Sequence, residues 1–152
     1  MNIKQRIDAD LKTAMLNGDK TLVTTLRTLK SVILYAEVAA GSREHGLSDE
    51  DIVSLLQKEA KKRQESADLF SQGGNQEKSD AELSEIRVIN NYLPAQIDDA
   101  ELQALISAAI DEIQDTSPQA MGKIISKVKE NVNGGADGGR IALAVKERLA
   151  NS

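Results

Sequence analysis

M-G-K-I-I-S-K-V-K-E-N-V-N-G-G-A-D-G-G-R-I-A-L-A-V-K-E-R-L, residues 121–149, holds two amphipathic segments either side of a glycine-rich turn. In the first, Met121, Ile124, Ile125, Val128 and Val132 recur at three- and four-residue spacing, which puts them on one narrow stripe of a helix. In the second, Ile141, Val145 and Leu149 do the same. Between them runs Gly134-Gly135-Ala136-Asp137-Gly138-Gly139. Gly134 or Gly135 suits the left-handed backbone that closes one helix, and Asp137 suits the cap of the next. The stretch reads as helix, tight turn, helix.

Working outward, the same grammar repeats. Ser117-Pro118 predicts a helix start, with Ser117 as N-cap and proline at the first helical position. Before it, Asp98 with Glu101 three residues on opens a helix bearing Leu102, Leu105, Ile106, Ala109, Ile110 and Ile113. Asn90-Asn91-Tyr92-Leu93-Pro94 is the boundary, because Pro94 cannot continue a helix and biases Leu93 away from helical dihedrals. Upstream, four helices are expected. The first, Asn2 to Leu16, carries Ile3, Ile7, Leu11, Ala14 and Met15 on one stripe. The second, about 20–40, begins after Asp19 and carries Leu22, Val23, Leu26, Leu29, Val32, Ile33 and Ala36. Ser48 with Asp51 reads as a capping box for the third, which runs to about Ser71 with Ile52, Leu55, Leu56 and Leu69, and an ion pair from Glu59 to Arg63. Gln72-Gly73-Gly74-Asn75 ends it, and a fourth, roughly 76–91, presents Leu83, Ile86 and Ile89 or Val88. No segment alternates apolar and polar over a strand's length. The expectation is an all-α chain: an N-terminal four-helix domain, 1–93, joined by a short proline-containing hinge to a C-terminal three-helix domain, 94–152.

Composition narrows the chemistry. A chain of 152 residues buries roughly two-thirds of its unfolded surface. The core must be aliphatic, since Tyr35, Phe70 and Tyr92 are the only aromatics. With no cysteine, disulfides, thiolate metal sites and cysteine nucleophiles are excluded. The amphipathic N-terminus lacks the apolar core of a signal peptide, and no apolar run approaches the ~20 residues that span a bilayer. A soluble, cytoplasmic protein without membrane partners is expected. The formal net charge of −5 argues against indiscriminate nucleic-acid binding, but the charge is uneven. Residues 95–116 carry six acids and no base, whereas 117–152 carry six bases against three acids. A polyanion surface would be local.

No residue pattern supports catalysis. His45 lies in a polar loop with Arg43 and Glu44 and no second histidine, so it lacks the positioned partner that acid–base work needs. There is no nucleophile elbow, phosphate-binding Gly-Lys-Ser/Thr loop or dinucleotide fingerprint. Asp49-Glu50-Asp51 occupy successive helical positions that point in different directions; acids in a first turn cap a helix rather than hold a metal. No catalytic residue, metal site or cofactor is assigned. The 134–139 turn leaves backbone N–H groups near any approaching anion, although the Asp137 carboxylate competes for them, and a purely structural turn is the plainer alternative. Lys123 and Lys127, four apart and opposite the apolar stripe, with Arg140 near the turn, form a basic edge able to grip phosphates; the alternative is an ordinary solvated face. Lys58-Glu59-Ala60-Lys61-Lys62-Arg63 spreads its bases round the helix. So few aromatics leave no base-stacking platform.

Four segments carry a resemblance: T-L-R-T-L-K-S-V-I at 25–33, L-S-D-E-D-I to K-K-R-Q-E-S across 47–66, N-Y-L-P at 91–94 and M-G-K…A-D-G across 121–138. In this order they resemble the GatB/YqeY family, the small stand-alone relatives of the tail of the tRNA amidotransferase B subunit, over essentially the whole chain. The resemblance implies an all-helical protein in two helical parts. It also implies kinship with a carbon–nitrogen ligase that amidates misacylated Glu-tRNA or Asp-tRNA with ammonia from glutamine. In that enzyme subunit the tail helps hold tRNA, while a large preceding domain does the chemistry. The implied role is therefore a tRNA-associated module that is not an enzyme on its own. Lys123, Lys127, Gly135, Asp137, Gly138 and Arg140 are the candidate RNA-contacting or turn-shaping positions. Possible partners are tRNA and an amidotransferase or aminoacyl-tRNA synthetase component. The rival readings are a protein–protein adaptor without RNA, and an accessory subunit to amidotransferase activity in a complex.

Overall fold

In the computed structural model, which describes residues 1–151, the chain is all-helical, with seven α-helices and one 3-10 turn among the described residues. The residues group into two compact units, Met1–Leu93 and Pro94–Ser152. Each forms around its own aliphatic core.

Unit 1 contains α1 (Ile3–Leu16), α2 (Lys20–Ala39), α3 (Asp49–Gln72) and α4 (Gln76–Asn90). Asn2 and Gln5 make a reciprocal capping box at the start of α1, with Gln5 N–H donating to the Asn2 side chain at 2.8 Å and Asn2 N–H to Gln5 Oε1 at 3.1 Å. Asp19 caps α2 by accepting from Leu22 N–H. Ser48 caps α3 by accepting from Asp51 N–H at 3.2 Å. The Asp51 half of the expected box is not what completes this corner. Instead Asp49 reaches across to α1, where its Oδ1 accepts from Ile3 N–H at 3.2 Å.

The core of unit 1 gathers Ile3, Ile7, Leu11 and Ala14 from α1, Leu26, Leu29 and Ile33 from α2, Ile52, Val53 and Leu56 from α3, and Ile89 and Tyr92. Met15, expected on the buried stripe, is 53% exposed. It stands 100° round the helix from Ala14, and the stripe is filled without it. Leu69, expected to be buried, is 68% exposed. The reason is architectural: the aliphatic core stops at Leu56 and resumes at Ile89. Between them α3 and α4 run on as a hairpin whose fully buried side chains are small, Ala67 and Ser79. Arg63 crosses this hairpin, bonding Glu59 on its own helix at 2.7 Å and Glu85 on α4 at 2.8 Å. Lys78 lies over the Phe70 ring nearer the turn.

A buried carboxylate fastens the loop between α2 and α3. Glu37, 1% exposed, accepts from Lys4 Nζ at 2.9 and 3.0 Å and from Leu47 N–H at 3.2 Å. Gly46 turns there at φ +72°, and a Cβ on it would sit 2.9 Å from Glu37 Oε2, so both backbone and space demand glycine. At the other end of the unit, the Tyr92 hydroxyl donates to Asp10 at 2.5 Å and Arg6 lies over its ring. Burial, followed by that bond to Asp10, pushes the phenol well above its usual range.

Unit 2 contains α5 (Asp99–Ile113), a 3-10 turn (Pro118–Ala120), α6 (Met121–Val132) and α7 (Gly138–Ala150). Its core is Leu102, Ile106 and Ala109 from α5, Ala120, Ile124, Val128 and Val132 around α6, and Ala136, Ile141 and Val145. Ser117 does not cap α6 with its side chain, as expected from sequence; a 3-10 turn begins at Pro118 instead. Ser117 N–H donates to Asp115 Oδ1 at 2.8 Å. Bonds from Ser117, through its hydroxyl and this N–H, hold the Asp115 carboxyl below its ordinary range.

Candidate nucleic-acid interface

The apolar stripe of α6 fixes where its bases go. With Ile124, Val128 and Val132 turned into the core, helical periodicity carries Lys123 and Lys127 to the outer side. There they line a shallow, open depression of about 450 Å³ together with Ile113, Gly122, Ser126 and Glu130. Gly122 is exposed, with nothing within 4 Å of the position a Cβ would occupy. The lining thus joins an open glycine position, two lysines and one carboxylate.

The remaining candidates cluster at the far end of α6. Asn133 at φ 49° and Gly134 at φ 82° carry the left-handed closure. Gly135 serves a different purpose from the one its glycine suggested. Its φ is not positive; it is buried, and its carbonyl accepts from Ile97 N–H at 2.8 Å. A Cβ there would lie 2.9 Å from Ile97 Cγ2, 3.1 Å from the Val132 carbonyl oxygen and 3.3 Å from that of Ala95. The turn is therefore pressed against the 95–97 segment, backbone to backbone. Asp137 caps α7, its Oδ1 accepting from Arg140 N–H at 2.7 Å, so the helix start is occupied by the chain's own carboxylate. Lys129, in the last turn of α6, brings Nζ to 3.5 Å from the Cβ position of Gly138. Sequence reasoning passed over this lysine, although a base in a helix's last turn, one turn ahead of the glycine-rich closure, was the signal available.

The structure gathers the six candidates into two groups, one on the first turns of α6 and one at the α6–α7 turn. It also reveals partners that spacing did not. Lys127 Nζ lies 3.1 Å from Glu112 Oε1 and 4.0 Å from Glu130 Oε2. Arg140 lies 3.0 Å from Asp99 Oδ1. Both Glu112 and Asp99 come from the acid-rich α5. Among the described residues, no group of three or more histidines or carboxylates is placed to hold a metal ion, and no helix is long and apolar enough to cross a membrane. His45 is exposed in its loop.

The fold defines the class: an all-helical protein in two units. Residues 4–149 match the family described as Yqey-like protein, and the chain belongs to that family. Two fungal proteins, both named "Altered inheritance of mitochondria protein 41, mitochondrial", are similar to it. The one from Pyrenophora tritici-repentis is 25% identical over 130 residues, covering 82% of this chain and 70% of its own length. The one from Lachancea thermotolerans is 31% identical over 112 residues, covering 72% of this chain and 58% of its own.

Proposed function

We propose that this chain is a non-catalytic tRNA-associated module, with 1–93 and 94–152 as separate domains and the second as the RNA-facing one. The observation that carries the reading is the open depression on α6 at Gly122 and Ser126, with Lys123 and Lys127 at its edge. Phosphates approach such a surface closely, and lysines grip them without reading sequence. The group at the turn, Gly135, Asp137, Gly138 and Arg140, shapes the end of the same edge. Family kinship supports the same ligand and an amidotransferase or synthetase component as a companion on the RNA, with no amidation by this chain alone. We place its work in the cytoplasm; the names of the two fungal relatives make the mitochondrion the competing compartment.

The test is titration against unfractionated tRNA at several salt concentrations, with duplex DNA as control. Binding that prefers tRNA and falls steeply with salt is expected. Lys123→Glu with Lys127→Glu should weaken it and lower the salt slope by about 2 while leaving helicity unchanged. Unaltered binding by the double variant would remove the basic edge from the interface.

A second reading has its own observation. On α2, Leu34, Tyr35 and Val38 are exposed, with Val38 one turn on from the other two, and together they are fit for an apolar protein partner. A partner retained at high salt, with no tRNA bound at low salt, would favour this adaptor role.

A further inference from the structure

The last turn of α5 is electrostatically adverse. It ends in Asp111 and Glu112 with no base among its final residues, at the pole where unsatisfied carbonyls already carry partial negative charge. Helix stability alone does not ask for a carboxylate at position 112. What Glu112 gains is Lys127, 3.1 Å away across the α5–α6 pair. Asp99, at the opposite end of α5, is 96% exposed and meets Arg140 at 3.0 Å. Two of the candidate phosphate-binding cations are therefore already bound to oxyanions, and both oxyanions are supplied by one helix. Glu112 is 62% exposed, so both pairs sit where water and an incoming anion can exchange with them.

We propose that Glu112 and Asp99 are resident competitors for RNA phosphates on the α6–α7 edge. A phosphodiester presents the same charge and the same acceptor geometry as the carboxylate it replaces, so each exchange is nearly balanced and one phosphate gains little. An RNA that offers several phosphates at fixed spacing displaces both carboxylates in one event, and the second displacement is effectively intramolecular. The device holds a single phosphate near balance, so that a net-acidic chain retains only an RNA that engages both pairs at once. The inference rests on the tRNA reading and names its regulation.

Glu112→Gln with Asp99→Asn should tighten tRNA binding by roughly three- to tenfold at low salt, from two fewer repulsive charges beside the ligand, and should raise affinity for short oligoribonucleotides that reach one pair by a smaller factor. The control, Asp111→Asn with Glu101→Gln, removes the same two charges from α5 and touches neither ion pair; less than a twofold change is expected. Melting curves confirm that both variants are folded. Equal tightening by the test and control variants, with wild type bound, overturns the competitor role and leaves the tRNA reading standing. Absence of tRNA binding by wild type and by both variants overturns the two together. Binding that appears only in the test variant supports both.

Discussion

In unit 1 the loop between α2 and α3 is held by a side chain, the Glu37 carboxylate, which collects Lys4 and the Leu47 N–H. In unit 2 the turn between α6 and α7 is held by the lack of one, since Gly135 lets two backbone segments touch. A buried charge is strong only while every partner is present, whereas a backbone seam fails as soon as a Cβ is inserted. The first fastening resists crowding and is vulnerable to deletion. The second has the opposite weaknesses.

Four substitutions test that contrast, beginning with the most damaging. Glu37→Ala leaves the Leu47 N–H without its acceptor and should destabilise the protein by about 2–4 kcal/mol in chemical denaturation; Glu37→Gln, which keeps the shape, should lose less. Equal losses would mean that volume rather than charge holds the loop. Gly135→Ala should cost about 1–3 kcal/mol by overpacking. Adding Ile97→Ala should restore part of that, because the methyl of Ile97 is the nearest clash, and a strictly additive double variant would contradict the seam.

Tyr92→Phe removes the bond to Asp10, at about 1 kcal/mol, and also changes the alkaline limb of the stability curve. A phenol whose folded pKa is raised loses its stabilisation as pH climbs past the unfolded value of about 10, because the unfolded chain sheds the proton first. The melting temperature of the wild type should therefore fall more steeply above that pH than that of the variant. Parallel curves would detach Tyr92 from the alkaline loss. Smallest and opposite in sign, Gly122→Ala should stabilise by about 0.5–1 kcal/mol, since nothing surrounds that position and the backbone is helical. The two glycines of one unit thus predict shifts of opposite direction; a loss at Gly122 would show that its open face is an illusion of the isolated chain.

The helices were readable because 3.6-residue spacing and a polar residue ahead of each start are local signals: Asp19, Ser48, Asp98 and Asp137 all cap where sequence places them. What escaped depends on distance along the chain. Asp10 and Tyr92 meet across 82 positions, and Lys4 and Glu37 across 33; neither pair leaves a periodic trace. Leu69 misled because spacing reports which side of a helix is apolar and not whether a core extends that far. Among the candidate site residues, the stripe alone sets Lys123 and Lys127 off the buried face of α6. The neutralising partners on α5 were not, since an ion pair between helices follows from packing register rather than from either sequence. Of the two glycines that suit the left-handed closure, Gly134 takes it, and the constraint on Gly135, a neighbour 2.9 Å away, belongs to a segment nearly forty residues earlier.

The α3–α4 hairpin beyond Leu56 has a kinetic consequence. Its contacts are close in sequence and only Ala67 and Ser79 are fully buried beyond the core, so the distal turn at Gly73–Gly74 is expected to form early and to be the first part of the hairpin to open. Opening runs inward from that tip until it meets the Arg63 crossing, which acts as a stop before the aliphatic core is reached. Amide hydrogen exchange in unit 1 should therefore be fastest at this tip and slower inward of Arg63; uniform protection along the hairpin would contradict it.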